Sequence, residues 1–260
     1  MKTIGFKVVI TIIVAVLLGA CTSIPPSMET QREEIYYISP KNGDGIQDTV
    51  SVPITVKPAK GMVIVAYRLT VTDSRGKEVG SVYAEGEKPK FLRKNKGIPL
   101  PASIVWDGRG DTNEFVEDGE YSVVFQVRDN RNKSVATDPI TVIVDNTPPN
   151  VTLSIPYKIF SPNGDGNKDT LPITISTSRE DLWSGRFADE SGNVVVSQKW
   201  EGSSPRNVLW DGFSETGQKL PDGRYSYSVF ATDRAGNAGE AVLEDIGINT
   251  TATAVSVTMD

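Results

Sequence analysis

The sequence contains no histidine, and its one cysteine is Cys21. Without histidine the chain cannot build a Ser-His-Asp triad or use the commonest metal-binding side chain. A single thiol cannot close a disulfide within the chain, so stability must come from buried apolar side chains. Paired carboxylates could serve a glycosidase, but the acidic residues fall in turns that have structural explanations. We therefore predict that the chain is not an enzyme and has no small-molecule substrate.

Basic residues are fewer than acidic residues. The chain has 27 Lys and Arg against 33 Asp and Glu, and its formal net charge is −6. Proteins bind a phosphate backbone through surfaces rich in Lys and Arg. We therefore predict no nucleic-acid partner. An acidic balance suits an exported body that can attract divalent cations.

Long apolar runs are absent except at residues 8–18. This run is too short to span a bilayer comfortably and has the length of a signal-peptide core. It closes at Leu18-Gly19-Ala20-Cys21, which resembles the lipobox of bacterial lipoproteins. The resemblance implies a signal peptide at residues 1–20, a lipid-modified (palmitate-bearing) Cys21 and a membrane anchor. Thr22 is not the aspartate associated with inner-membrane retention, which favours the outer membrane of the cell envelope. The alternative is an ordinary secretory signal with a stray cysteine.

The rest of the sequence is a tandem duplication. Three motifs, which begin at Asn42, Trp106 and Asp118, return in the same order at Asn163, Trp210 and Asp222. Repeats at a fixed spacing indicate repeated structural units. We place one unit at residues 35–145 and the other at residues 146–249. Residues 21–34 are predicted to be a flexible tether.

Both units have the alternation typical of β-strands. Apolar residues occupy every second position in residues 50–56, 121–127 and 225–231. No convincing amphipathic helix interrupts these patterns. We predict an all-β chain with two tandem Ig-like antiparallel β-sandwiches. Asp-Gly-x-Tyr at a strand start also predicts a tyrosine corner, in which the hydroxyl bonds to nearby backbone.

The repeated Asn-Gly-Asp-Gly loops are candidate calcium sites, because their side-chain oxygens alternate along a glycine turn. The candidate ligands are Asn42, Asp44 and Asp48 in the first copy, and Asn163, Asp165, Asn167 and Asp169 in the second. The closing glutamate of an EF-hand loop is missing. A site would therefore need another carboxylate, with Asp107, Asp118, Asp211 and Asp222 as candidates. The alternative is a pair of Asx turns bonded to their own backbone.

Trp106 and Trp210 end predicted strands, so we expect buried indoles beside a turn; stacking on carbohydrate is the alternative. The first unit is longer than the second, and most of the excess lies in a loop at residues 87–102. It carries a basic cluster with an apolar centre: Lys88, Lys90, Phe91, Leu92, Arg93, Lys94 and Lys96. This cluster is either a site for an anionic partner or a solvated hairpin.

Residues 250–260 resemble the start of a third unit, since they repeat the pattern that comes after Asp145. They are predicted to form either an orphan strand, which could pair with another chain, or a frayed tail.

The second unit resembles the Ig-like repeat of the flagellar hook-capping (FlgD-type) family. The resemblance is carried by residues 160–166, 210–212, 221–225 and 231–237, and it extends to modules of gliding-motility and secreted surface proteins. The first unit departs from it at Lys41 and at residues 129–133. The resemblance implies a β-sandwich and little about activity.

Taken together, these patterns predict a lipid-anchored, non-catalytic surface protein. Its modules would act in structural or adhesive binding of an envelope protein or a glycan, with calcium stiffening them. The alternative is a subunit of an envelope assembly for secretion or motility. Recruitment would then use the basic cluster or the C-terminal strand.

Overall fold

The computed structural model describes residues 24–87 and 96–251. These residues form seventeen β-strands, and their apolar side chains collect into two separate cores. Within the described ranges, no helix is long and apolar enough to cross a membrane.

Module one comprises strands β1 to β9. Their bounds are β1 Ser27–Thr30, β2 Ile35–Ile38, β3 Val50–Lys57, β4 Ile64–Asp73, β5 Glu78–Glu85, β6 Ser103–Trp106, β7 Gly119–Asp129, β8 Ser134–Ala136 and β9 Ile140–Val144. One sheet has the order β1-β3-β6. The other has the order β2-β9-β7-β4-β5, with β8 also paired to β7.

Module two comprises strands β10 to β17. Their bounds are β10 Val151–Ser154, β11 Ile159–Phe160, β12 Leu171–Thr177, β13 Leu182–Asp189, β14 Val194–Glu201, β15 Val208–Trp210, β16 Gly223–Thr232 and β17 Ala238–Ile248. The sheets are β10-β12-β15 and β11-β17-β16-β13-β14. Both modules are thus two-sheet Ig-like sandwiches, which confirms the predicted all-β fold class.

Alternating burial explains why these segments form strands. In β3, Val50 and Val52 are buried whereas Ser51 and Pro53 are exposed. Because a strand is pleated, successive side chains point to opposite faces of the sheet. Apolar residues at every second position therefore all face the core. Core one includes Phe125, and core two is built around several aromatic rings.

The predicted tether is wrong for Ser27–Thr30. These residues form β1, which pairs antiparallel with β3, and Met28 packs against core one. Pro26, just before the strand, is buried. The sequence pattern missed this strand because four residues, two of them polar and outward-facing, show too little alternation to be recognised. Backbone pairing with β3 stabilises the segment instead.

One pairing in each module is parallel, which the antiparallel prediction did not include. β2 pairs with β9, and β11 pairs with β17. Because parallel strands end at the same edge of a sheet, the loop after β2 and the linker after β9 lie at the same end of module one. The backbone N–H of Asp145 donates to the Ile38 carbonyl there, at 2.9 Å. This edge faces module two and forms the candidate site.

Candidate functional site

The Asn-Gly-Asp-Gly loop of module one is closed by its own side chains. The Asp44 carboxylate accepts the backbone N–H of Ile46 at 2.7 Å, and Asp48 accepts that of Gly45 at 3.0 Å. Asn42 Oδ1 accepts the N–H of Asp44 at 3.3 Å. These are the Asx-type contacts of the alternative interpretation.

The loop of module two is closed in the same way and more completely. Asp165 accepts the N–H of Asn167 at 2.8 Å. Asp169 accepts the N–H groups of Gly164 and Gly166, one on each oxygen, both at 2.7 Å. These bonds, first from Gly164 and then from Gly166, lower the pKa of the Asp169 carboxyl. Asn163 Oδ1 accepts the N–H of Asp165 at 3.0 Å, as Asn42 does in module one.

The loop residues by themselves supply few oxygens that are free of hydrogen bonds. A Ca²⁺ ion needs six to eight oxygens, and most loop carboxylate oxygens already accept backbone N–H groups. One exception is Asp48 Oδ1, which is buried with no hydrogen-bond partner. Among the described residues, no group of three or more acidic, Cys or His side chains could hold a metal ion. The calcium hypothesis stays a prediction.

The four carboxylates proposed to complete such a site are engaged elsewhere. Asp107 and Asp211 accept backbone N–H groups two residues further on, at 3.2 Å and 3.1 Å. Asp118 and Asp222 instead hold the segments that leave each module. Each therefore has a structural use away from the glycine loops.

A turn of module two, residues 233–237, contacts the loop of module one and buries the serine before it. The Ser39 hydroxyl donates to the Ala235 carbonyl at 2.8 Å, and Ser39 is 0% exposed. Gln47 Nε2 donates to the Arg234 carbonyl at 2.8 Å and to the Tyr37 carbonyl at 2.9 Å. We call this contact between the two modules the junction. It saturates backbone carbonyls that would otherwise lose water without a partner.

Asn237 ties the turn, the loop and the linker together. Its amide Nδ2 donates to the Asp145 carbonyl at 2.8 Å and to Asp233 at 2.9 Å. Its Oδ1 lies 3.3 Å from the donating Asn42 Nδ2. Asn237 is 4% exposed, so each of these bonds replaces water that cannot reach it.

Arg234 clamps the rim of the junction. Its guanidinium forms a two-pronged pair with Asp181, at 2.6 Å and 3.1 Å, and donates to the Tyr37 hydroxyl at 3.0 Å. The pair lowers the pKa of Asp181 and, with Tyr37, raises that of Arg234. Because all three groups are near the surface, the charge adds little stability. The main effect of the Arg234–Tyr37 hydrogen bond is to orient the two modules.

Two glycines permit the close approach. Gly236 has φ +91°, and a Cβ there would lie 3.0 Å from Ile46 Cγ2 of module one. At Gly239 a Cβ would lie 1.9 Å from the Pro149 carbonyl oxygen of the linker. Any side chain at Gly239 would therefore push the linker off module two. Pro149 is itself buried, so the linker belongs to the junction.

Asp118 anchors the start of the linker. Its two oxygens accept Asn146 Nδ2 at 2.7 Å and Thr147 Oγ1 at 2.9 Å. Desolvation acts to raise the pKa of Asp118, but the bonds from Asn146 and Thr147 outweigh it and the pKa is lowered. The neighbouring Asp145 differs. Its pKa is raised, chiefly by desolvation. The negative charges of Asp233 and Asp118 act in the same direction, whereas the hydrogen bond from the Thr147 N–H opposes them.

The other predicted side chains have mixed outcomes. Trp106 and Trp210 are 5% and 3% exposed, and their indole N–H groups donate to the Arg109 and Phe213 carbonyls. The expectation of buried indoles is confirmed. A stacking role for these rings on carbohydrate is wrong, because stacking needs an exposed ring face. Cys21 lies outside the described residues.

The tyrosine corners are confirmed. The Tyr121 hydroxyl donates to the Glu117 carbonyl at 2.8 Å, and the Tyr225 hydroxyl donates to that of Pro221 at 2.9 Å. Of the basic cluster, Lys96 is described and exposed. The remaining members, Lys88, Lys90, Phe91, Leu92, Arg93 and Lys94, lie outside the described residues, as do residues 252–260 of the predicted C-terminal strand.

Sequence reasoning missed the junction, although differences between the two copies marked it. Module two has Gly236 and Asn237 where module one has Asn132 and Lys133, and it has Gly239 where module one has Val135. Each difference falls where module two must approach module one closely. A pair of prolines also precedes the first strand of both modules, at residues 25–26 and 148–149.

Comparison with known proteins gives one family match. Residues 153–242, which lie within module two, match the family model described as CHU_C Type IX secretion signal domain. This is about a third of the chain. No match was found among curated protein sequences.

Several solved structures resemble the chain in fold. Fibronectin(III)-like modules of Clostridium thermocellum CbhA are 14% identical, with 90% of this chain and 100% of that one covered and a TM-score of 0.39. A tetra-tandem repeat from the extending region of a large adhesion protein is 18% identical, with coverages of 87% and 50% and a TM-score of 0.34. Dimeric latent PorU from Porphyromonas gingivalis is 14% identical, with coverages of 85% and 20% and a TM-score of 0.29. The chain thus spans half of the adhesion-protein structure and a fifth of the PorU structure.

Proposed function

We propose that this chain is an exported, non-catalytic protein of the bacterial cell surface. Its two Ig-like modules act as one stiff, extended unit that holds a binding surface away from a lipid anchor at Cys21. The binding is structural or adhesive, and its target is another envelope protein or a glycan. The match of module two to a Type IX secretion signal domain supports export. The lipobox-like sequence at Leu18–Cys21 supports the anchor.

The observation that carries this proposal is the junction. Tandem domains move relative to one another unless their interface is well built. Here the interface includes a buried serine hydroxyl, a buried asparagine and a buried linker proline. Stiffening two modules in this way is useful to a spacer or an adhesive arm. In the described residues, the carboxylates and amides of the loops and the linker form hydrogen bonds that hold turns and the linker in place, which is a structural role.

The anchor and the surface location can be tested on cells that express the full chain. We expect an external protease to degrade the wild-type chain on intact cells. The variant Cys21→Ser should instead be recovered from the culture medium, because its acylation site is gone. A chain that resists the protease until the cells are lysed would contradict the surface location. Retention of Cys21→Ser on the cells would contradict the lipid anchor.

A second candidate is a subunit of an envelope assembly for secretion or motility. It is favoured by one observation: among the described residues, Ile159 at the far end of module two is 58% exposed, whereas Ser39 at the equivalent end of module one is buried. An assembly subunit would co-purify with fixed partners in constant ratio after cross-linking. A spacer or adhesin would be recovered without such a constant set.

A further inference from the structure

The two modules end differently. At the end of module one, Ser39 is 0% exposed beneath the turn of module two. Its counterpart Ser161 is only half-buried, and the described residues offer its hydroxyl no hydrogen-bond partner. Ile159, the counterpart of Tyr37, is 58% exposed. Within residues 24–87 and 96–251, the surface of module two that corresponds to the covered surface of module one is therefore exposed.

The backbone around this bare surface already has the form that receives a module. Ser161 N–H donates to the Lys168 carbonyl at 2.8 Å, as Ser39 N–H donates to that of Gln47 at 2.9 Å. The N–H of Asn249 donates to the Phe160 carbonyl at 3.1 Å, which repeats the contact of Asp145 with Ile38. The loop and the departing chain are thus preorganised in the same relation as at the junction.

The exit from module two also repeats the exit from module one. Asp222 accepts the hydroxyls of Thr250 and Thr251 at 2.8 Å and 3.0 Å. The N–H of Thr251 donates to Asn249 Oδ1 at 3.0 Å, matching Thr147 and Asp145 at 3.1 Å. Side-chain bonds at both exits direct the chain away along the same path. The bare surface is therefore left clear by the chain that leaves it, at least as far as Thr251.

We propose that this surface binds an Ig-like module of a separate polypeptide through a turn of the pattern Asp-x-x-Gly-Asn. We call the surface the open end, and its members are Ile159, Ser161, Asn163, Lys168 and Asn249. The turn is the one that residues 233–237 use to cover module one. The inference uses the proposed function only to place the partner at the cell surface.

Three contacts of the junction have a counterpart in this complex. The Ser161 hydroxyl donates to the carbonyl of the third residue of the incoming turn, as Ser39 donates to Ala235. The asparagine amide of the turn donates to the Asn249 carbonyl, as Asn237 donates to that of Asp145. The glycine of the turn passes over Asn167 without a Cβ, as Gly236 passes over Ile46.

The differences between the two ends define which turn fits. Tyr37, which accepts from Arg234, is replaced by the apolar Ile159. Gln47 is replaced by Lys168, a cation. An arginine at the second position of the turn would therefore lose its hydroxyl partner and lie near a like charge. The open end selects an apolar residue at that position.

A second copy of this chain does not meet these requirements. The turn at residues 233–237 of the copy is already held in its own junction. The turn of its module one, residues 129–133, has the same aspartate core, with Asp129 accepting two backbone N–H groups at 2.8 Å and 2.9 Å. However, Asn132 adds a Cβ where Gly236 has none, and Lys133 lacks the amide of Asn237. These two turns of the described residues do not fit the open end, and the proposed partner is a different protein.

Nuclear magnetic resonance can test this with the chain itself as probe. The unlabelled probe is the full chain with Asn130→Leu, Arg131→Ala, Asn132→Gly and Lys133→Asn, which places the fitting turn on an exposed loop. It is added to the ¹⁵N-labelled wild-type chain. We expect saturable amide shifts at Ser161, Lys168 and Asn249, in the high-micromolar range because no linker raises the local concentration. No shift at about 1 mM probe would overturn the proposal.

Controls separate specific docking from other outcomes. A probe with only Asn132→Gly and Lys133→Asn is run in parallel, so that a folding defect in the larger variant does not decide the result. It should shift the same amides. The labelled variant Ser161→Ala with Ile159→Lys should bind at least tenfold more weakly. Equal shifts caused by the unlabelled wild-type chain would make a second copy the occupant and overturn the proposal. Since location plays no part, failure here is distinct from failure of the protease test on cells.

Discussion

The two Asn-Gly-Asp-Gly loops have nearly the same sequence and similar internal hydrogen bonds, yet the serine before the loop is buried in the junction in module one and only half-buried in module two. The difference lies in what contacts the serine before each loop. In module one, a turn that carries Gly236 and Asn237 contacts the loop and closes over Ser39. Among the described residues, nothing covers Ser161 in this way. A repeated motif can thus serve as a turn in both copies while only one copy contacts a second module within the described ranges.

The largest expected difference between the modules lies in their cores. Trp210 contacts Phe160, Phe187 and Tyr225, with ring centroids 4.2–5.4 Å apart. Among the rings of the described residues, Trp106 contacts Tyr121, at 5.3 Å. Trp210→Ala should lower the free energy of unfolding by about 3–5 kcal/mol, and Trp106→Ala should fall at the lower end of that range.

Urea unfolding of both variants checks this ranking. Leu209→Ala is the matched control, because Leu209 adjoins Trp210 in sequence but is 66% exposed. Its free energy of unfolding should stay within about 0.5 kcal/mol of the wild type. An equal or larger loss for Trp106→Ala would show that the aromatic cluster of module two contributes nothing beyond a single ring.

The junction predicts unequal effects for two equivalent serines. Ser39→Ala leaves the buried Ala235 carbonyl without its donor, so it should cost about 1–3 kcal/mol of unfolding free energy. Ser161→Ala removes a hydroxyl with no partner among the described residues and should be close to neutral. Thermal and urea unfolding of the two variants, side by side, make the measurement. Equal losses would mean that the junction does not stabilise the chain.

A smaller, pH-dependent effect is expected at the linker. Asp145 has a raised pKa in the folded chain, so its charge becomes unfavourable as the pH rises from about 3.8 through the folded-state value. Asp145→Asn copies Asn249 of the other exit and keeps the acceptor for Thr147. The variant should match the wild type at pH 3 and be more stable at pH 7, by less than about 1 kcal/mol after solvent screening.

The variant Asp118→Asn should change the stability at neutral pH in the opposite direction. The pKa of Asp118 is lowered in the folded chain, so its contribution is present above pH 3.8 and is lost as the pH falls through the folded-state value. The variant should therefore be less stable than the wild type at pH 7, with a gap that narrows in acid. Unfolding curves between pH 3 and pH 7 test both variants. If the stability difference from the wild type changed with pH in the same direction for both variants, the opposite pKa shifts assigned to Asp145 and Asp118 would be contradicted.

The smallest expected effect concerns calcium. If the loops are Asx turns closed by their carboxylates, calorimetric titration with Ca²⁺ should give no heat beyond dilution and no shift in melting temperature. The variants Asp44→Ala and Asp165→Ala are the controls. Measurable binding to the wild type that is lost in either variant would instead establish the calcium site that the sequence pattern suggested.

Much of the fold was predictable from sequence because alternation and turn residues are local signals. The strands around Val52 and Tyr121, the tyrosine corners and the buried tryptophans all arise from patterns a few residues long. β1 and the parallel pairs were not predicted, since they depend on backbone pairing with distant strands. The junction was missed for the same reason. Ser39 and Ala235 meet only after both modules fold, and Gly239 is explained only by the Pro149 carbonyl beside it.

Residual dipolar couplings of the labelled chain test most directly whether the junction fixes the two modules as one unit. If it does, couplings from β3, β4 and β7 of module one and from β12, β13 and β16 of module two will fit one alignment tensor. Asn237→Ala, which removes the amide that reaches the linker, should then separate the two sets. Two tensors of different magnitude in the wild-type chain would contradict the account.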